Sequence, residues 1–384
     1  MNRVVKIFTS LRLTVVCLAF AIALVFFGTI AQVNEGLYDA QARWFRSFFI
    51  WYPAHGDGFK FPFMPGGYLI GTTLLANLIA AHIVRFQLKW KKLGINLAHL
   101  GIILLLAGQL ATDLLSRETV MNFVEGETRN FSVNQARAEL VFISDDGGVD
   151  KVFSIPQSLL AERGEIRSAK LPFTIRVRDF YVNSAVHRRA PMVDTGAPSA
   201  TEGVGPNVTL IPLAKTNKPD EMNEPASVIE LYTAQGSLGT WLVQPNLHEQ
   251  TVELDNQVWR IALRFERTYH PFSVKLLKTT HEVYRGTDIP KNFQSRVQID
   301  NPKSGEHREV DIYMNNPLRY GGLTFYQYQM GRDQVNDSLG TSALQVVKNP
   351  SWLTPYVGCG LVAAGLLVQF LSHLVGFIKK RRTV

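Results

Sequence analysis

Thiol chemistry is almost missing from this chain of 384 residues, which has two cysteines, Cys17 and Cys359. No CxxC pair, zinc-ligand spacing or iron–sulfur spacing occurs. Both cysteines lie in long apolar runs, and the expected topology sets them too far apart in depth to bridge. The polar bulk of the chain therefore has no disulfide and no thiol, although it is expected to face an oxidising compartment. A phosphate cradle is absent too, because Gly321-Gly322 is not followed by Lys-Ser/Thr and a helix. No nucleophile–base–orienter series can be read, so no catalytic residue is assigned. Internal repeats are lacking. Acidic residues are missing from three basic clusters, namely Arg3, Lys6 and Arg12; Arg85, Lys89, Lys91 and Lys92; and Lys379, Lys380, Arg381 and Arg382.

Each of those clusters abuts an apolar stretch. There are four such stretches, 11–31, 67–86, 93–115 and 354–378. Each is long enough to cross a hydrocarbon core of about 30 Å at about 1.5 Å per residue. An even number of spans puts all three clusters on one face, and the positive-inside bias makes that face the cytoplasm. The net charge of +8 is thus a topology and lipid-contact signal, not a nucleic-acid one. The start of the chain resembles a signal peptide, but its apolar run is too long and 28–31 is a poor cleavage site, so an uncleaved anchor is expected.

The expected organisation is a first span in 1–31, an outer aromatic loop in 32–66, two spans with a basic cytoplasmic loop in 67–115, an extracytoplasmic domain in 116–351, and a last span with a basic tail in 352–384. In the aromatic loop Trp44, Phe48 and Trp51 recur at helical spacing, as do Phe45, Phe49 and Tyr52. This suits an amphipathic helix in the membrane interface, or a face packed under the outer domain. The outer domain reads as strands at 138–143, 173–178, 208–212, 227–233, 258–265, 273–278, 296–300, 309–314, 323–329 and 343–347, all rich in β-branched and aromatic residues. Turn signals separate them, and 191–206 reads as a mobile surface loop. The fold class is therefore an α-helical bundle of four spans carrying a large all-β, sandwich-like domain.

Three histidines fall inside spans: His82, His99 and His373. Counted from the basic clusters at 1.5 Å per residue, they lie about 5, 10 and 9 Å from the cytoplasmic ends. Ionisable groups at such depths usually face a bundle interior or cavity. Imidazole is a common haem ligand, but it also glues helices by hydrogen bonds. Asn96, three residues before His99, and Gln369, four before His373, share their faces. His99 is the deepest of the three. The six outer histidines, His55, His187, His248, His270, His281 and His307, show no ligand spacing and are left unassigned. The stretch 280–328, dense in turn residues, reads as a framework for strands and as an interaction edge.

At this point the chain resembles the ResB (CcsB) family of system II cytochrome c biogenesis. The resemblance is carried by Phe27-Gly28-Thr29-Ile30-Ala31-Gln32 closing the first span and Asn96-Leu97-Ala98-His99-Leu100-Gly101 entering the third. Gly286-Thr287-Asp288-Ile289-Pro290-Lys291-Asn292-Phe293 and Tyr313-Met314-Asn315-Asn316-Pro317-Leu318-Arg319-Tyr320 complete it. It implies a subunit that pairs with a ResC (CcsA) membrane protein, moves haem b outward and joins it to apocytochrome c. The family's intramembrane histidine falls on His99, with His82 a second candidate ligand for haem iron and His373 a weak one. The six tryptophans are dispersed, so the family partner's tryptophan-rich segment is expected on a separate chain. On its own this chain is not expected to be an enzyme. The other readings are a scaffold that binds no haem and a membrane-anchored sensor; the small cytoplasmic parts argue against the sensor. The expected location is the inner (cytoplasmic) membrane, with both termini in the cytoplasm.

Overall fold

The computed structural model describes all residues except 1–2, 53–58, 88, 191–195, 217–220, 288–289, 333–337 and 383–384. The chain forms two compact units. One comprises Met1–Arg117 and Asn349–Val384, the other Glu118–Thr216 and Asp220–Lys348.

The first unit is helical. A short α1 (Arg3–Phe8) leads into α2 (Leu11–Glu35), followed by α3 (Leu37–Ala40) and one turn of π-helix over Gln41–Phe45. A hairpin of β1 (Phe49–Tyr52) and β2 (Phe61–Pro65) then returns the chain to α4 (Gly67–Arg85) and α5 (Leu93–Leu115). The unit ends in α7 (Thr354–Arg382), reached after the second unit with its short α6 (Gln157–Ala161). Ser10 starts α2 by accepting from the Arg12 amide at 3.2 Å, and Gly36, at φ 78°, ends it. Four helices, α2, α4, α5 and α7, are long and apolar enough to cross a membrane, at the positions expected. Their apolar side chains remain largely exposed, as lipid-facing side chains must be. The chain is a membrane protein. Both cysteines are free.

The expected helix through Trp44, Phe48 and Trp51 is not formed. Helix stops at Phe45, and Phe49 to Tyr52 run as a strand paired with 61–65. Four consecutive aromatic or β-branched residues prefer a pleated ribbon, and the prolines of β2 cannot extend a helix.

The second unit is built from antiparallel strands, as expected. In chain order they are β3 (Arg117–Val124), β4 (Thr128–Asp145), β5 (Asp150–Pro156), β6 (Glu165–Ile166), β7 (Thr174–Tyr181), β8 (Ser184–Arg188), β9 (Val208–Pro212), β10 (Ala226–Thr233) and β11 (Gly236–Val243). There follow β12 (Gln250–Leu254), β13 (Gln257–Val283), β14 (Pro290–Asn301), β15 (Glu306–Tyr313), β16 (Leu318–Tyr320), β17 (Leu323–Arg332) and β18 (Gly340–Lys348). One large sheet runs β15-β14-β13-β4-β3-β18-β17-β16, with β5 on β4 and β12 on β13; a smaller one runs β11-β10-β7-β6. The halves of β4 and β13 around Leu140 and Ile261 pack with the smaller sheet on Phe173, Ile229 and Trp241. The other half of β13, around Val274 and Leu276, builds a separate core with Val297, Ile312, Phe325 and Leu344.

The two segments expected as strands at 258–265 and 273–278 form one 27-residue strand, β13. Pro271 sits where the pairing with β4 lapses, between Tyr269 and Val274. Its missing N–H therefore leaves no ladder bond unmade. Of the loop expected at 191–206, residues 191–195 lie outside the described residues. The rest is partly anchored: Ala200 is buried, and Glu202 bridges to Trp241.

Candidate functional site

His82 lies one turn before the end of α4, and His99 about two turns into α5. The connection between these helices is short, so they run as antiparallel neighbours and the two positions come level. The imidazole rings meet edge to face, with centroids 6.1 Å apart at 76°. Phe86 packs on the other side of His82, at 5.5 Å. Both histidines are half-buried. Among the described residues, neither ring nitrogen of either histidine has a hydrogen-bond partner.

The facing of each ring is fixed from behind. Asn77, on α4, is 2% exposed. It accepts from the Thr14 hydroxyl at 2.6 Å and donates to the carbonyls of Phe8 and Ser10 at 2.6 and 3.2 Å. Arg85 donates to the Thr9 carbonyl at 2.7 Å. These bonds pin the C-terminal half of α4 to the α1–α2 turn and set the azimuth of His82. On α5, glycines recur at 94, 101 and 108 along the face that meets α7. A Cβ on Gly94 would lie 2.6 Å from the Gly365 carbonyl oxygen, and one on Gly101 2.7 Å from that of Gly358. The two backbones touch, as small residues allow between helices in lipid. Ala98 lies on this seam against Gly365. His99, one residue on, is turned about 100° away from it, towards α4.

His373 does not join the pair. It is exposed on α7, and its Nε2 accepts from the Gln369 side-chain amide at 2.7 Å. Asn96 does not reach His99 either; its amide donates to the Gln87 carbonyl at 3.1 Å. The pairing of His82 with His99 could not be read from spacing alone, because it depends on how α4 and α5 are rotated.

Two imidazoles with open nitrogens suit an iron that already has equatorial ligands. Among the described residues no group of three or more His, Cys, Asp or Glu could hold a bare metal ion. Haem iron brings four nitrogens of its own and needs only axial ligands, so the residues present fit haem better than zinc or non-haem iron.

A second polar cluster, not singled out from the sequence, lies at the other end of the helices. Asp113 pairs with Arg46 at 2.7 Å and accepts from the Tyr68 hydroxyl. Nearby, the Thr112 and Ser351 hydroxyls bond at 2.7 Å. The lone carboxylate within the apolar run 93–115 was the available signal.

In the β-unit, His270 bonds through Nε2 to the Ser132 hydroxyl at 3.0 Å and stacks on Phe272. Burial pushes its pKa down. Ser132 is fully buried, and among the described residues no carboxylate bonds to the ring, so no nucleophilic role is assigned to this pair. His281 packs on Phe293, and His307 pairs with Asp300. His55 and the pair Asp288-Ile289 lie outside the described residues. A groove of about 600 Å³ is lined by Phe123, Arg129, Phe293, Tyr328, Met330 and Ser342, among others. The stretch Tyr313–Tyr320 joins β15 to β16, the two ends of the large sheet's strand order. Tyr320 braces that closure, donating to Glu306 and accepting from Asn301 at 2.8 and 2.9 Å.

Comparison with known proteins adds two findings. The family model described as the ResB-like family matches residues 228–341. Protein NrfI of Wolinella succinogenes is 23% identical over 322 residues, which cover 81% of this chain and 31% of NrfI. The chain thus spans about a third of the length of the curated relative it matches. The matched segment runs from β10 into β18 and contains both turn-rich stretches noted in the sequence. The chain is thus similar to the ResB-like family over the later part of its β-unit, and its other unit carries four helices of span length.

Proposed function

We propose that this protein is a subunit of the membrane machinery that matures c-type cytochromes, and that His99 gives haem iron an axial imidazole during its passage. The single observation that supports this is the pair of open imidazoles, His82 beside His99, on two helices of span length. The basic residues Arg85, Lys89 and Lys92 follow the same helix ends, on what positive-inside bias makes the cytoplasmic rim, and suit haem propionates. A ResC-type membrane subunit is the expected partner and the source of an opposing ligand. Apocytochrome c is the acceptor. No residue of this chain is assigned to the attachment chemistry itself. Its β-unit has no thiol, so the acceptor's cysteines must be kept reduced by other proteins.

The test is the Soret band of the purified complex. His99→Ala is expected to lower haem content at least fivefold and cytochrome c yield in parallel, with added imidazole restoring the band in His99→Gly. His82→Ala is expected to cost twofold to threefold, and His373→Ala nothing. Unchanged haem and cytochrome in His99→Ala would end the ligand role. A scaffold that binds no haem is the second reading, favoured by the family match lying wholly in the β-unit and including none of His82, His99 and His373. It expects full assembly and full cytochrome yield in all three variants.

A further inference from the structure

The β1–β2 hairpin is an anomaly for a water-facing loop. Its nine strand residues, Phe49-Ile50-Trp51-Tyr52 and Phe61-Pro62-Phe63-Met64-Pro65, include no charge. One face is built into the helical core, where Ile50 and Met64 pack with Trp44 and Ile70. The remaining aromatic residues point outward: Phe49, Tyr52 and Phe61 are exposed, Trp51 is 47% exposed and Phe63 59%. Phe63 is the extra residue where the register slips between Ile50 and Trp51. An isolated two-stranded ribbon is barely stable in water, and such a surface is large for so small an element.

The depth of the hairpin says what covers it. Its root is the π-turn Gln41–Phe45, and that turn folds back down α2. Trp44 stacks on Phe27 with centroids 6.5 Å apart, and a Cβ on Gly28 would strike the Phe45 ring at 2.8 Å. Gly28 lies seven residues before Glu35, the last residue of α2. At about 1.5 Å per residue the root is therefore about 10 Å inward of that helix end. The other leg is as short. Gly66 donates to the Phe48 carbonyl at 2.9 Å, and Gly67, the first residue of α4, lies against Phe45. The hairpin thus starts level with the last turns of a membrane-spanning helix, not above them. Nearby charges are tied off as interfacial charges are: Arg43 pairs with Glu35 and lies 5.4 Å over the Trp44 ring, and Arg46 pairs with Asp113.

We propose that this hairpin is seated in the lipid interface of the leaflet that α2 reaches at Glu35, with its outward aromatic face covered by headgroups and upper acyl chains. It acts as an aromatic anchor continuous with the lipid-facing surface of α2 and α4. The surface is thus a lipid contact, not an open docking site for a soluble partner.

The test uses the full-length protein in phospholipid nanodiscs, in a Cys17→Ser, Cys359→Ser background. A single bimane label is placed through Phe63→Cys or Tyr52→Cys, with Val33→Cys on α2 as a depth reference. Lipids carrying a nitroxide on the headgroup or on carbon 5 are expected to quench both hairpin labels at least twofold, while iodide in the buffer reaches them several-fold less than free dye. Labels that iodide quenches freely and lipid nitroxide does not would overturn the anchor. So would labels shielded from both, since a protein surface would then cover the face. Should the labelled variants misfold, brominated lipid and the native tryptophans give the second measurement. Trp51→Phe must lower the quenching, and unchanged quenching overturns the proposal.

Discussion

At the scale of single residues, the buried histidine of the β-unit is a pH liability. His270 is held below the ordinary histidine pKa by burial. Above that ordinary value both folded and unfolded chains are neutral at this site, and stability is indifferent to pH. As pH falls below it, the unfolded chain gains a proton that the folded chain resists, so unfolding becomes easier. Thermal melting followed by the β-unit's circular dichroism should therefore drop between pH 7.5 and 5.5. His270→Gln keeps a partner for Ser132 and should flatten that slope. An equal slope in both proteins would remove His270 as its cause.

At the scale of elements, the contact of α5 with α7 depends on the absence of side chains. Lipid supplies no hydrophobic drive between helices, so close backbone packing must hold them. Gly101→Leu forces a side chain into the Gly358 backbone and should cost about 1–3 kcal/mol, the range for overpacking. Gly71→Leu on α4 is the control, because no atom lies within 4 Å of the Cβ it would introduce. Thermal inactivation in detergent should separate the two variants, and equal loss would count against the seam. Elements also show what the sequence made legible. Apolar length alone locates the four spans, because crossing lipid demands it. Strand content was legible in the β-unit from residue type, but not the continuity of β13, since only pairing shows that Pro271 falls in a gap. The aromatic loop misled because Trp44, Phe48 and Trp51 fit a helical period, while local β preference prevails after Phe45. The place of His99 within its span was legible from counting; its pairing with His82 was not, since rotation of a helix about its axis leaves no mark in apolar composition.

For the whole molecule, the arrangement of basic clusters predicts one sidedness. A cysteine placed at Thr383 and one placed at Asn2 should both be closed to an impermeant maleimide in intact cells and open after permeabilisation. One at Val149, in the turn between β4 and β5, should label in intact cells once the outer envelope is breached. Labelling of position 383 from outside would invert the topology and with it the proposed haem route. The seam between α5 and α7 has a reach beyond stability. Because the two backbones touch, they behave as a splinted pair, and whatever grips the chain's last helix also moves the one bearing His99. On the proposed haem role, a subunit that binds α7 tilts the His99 imidazole from the far side without approaching it. Gly365→Val should loosen that grip and shift the Soret maximum while His99 itself is intact.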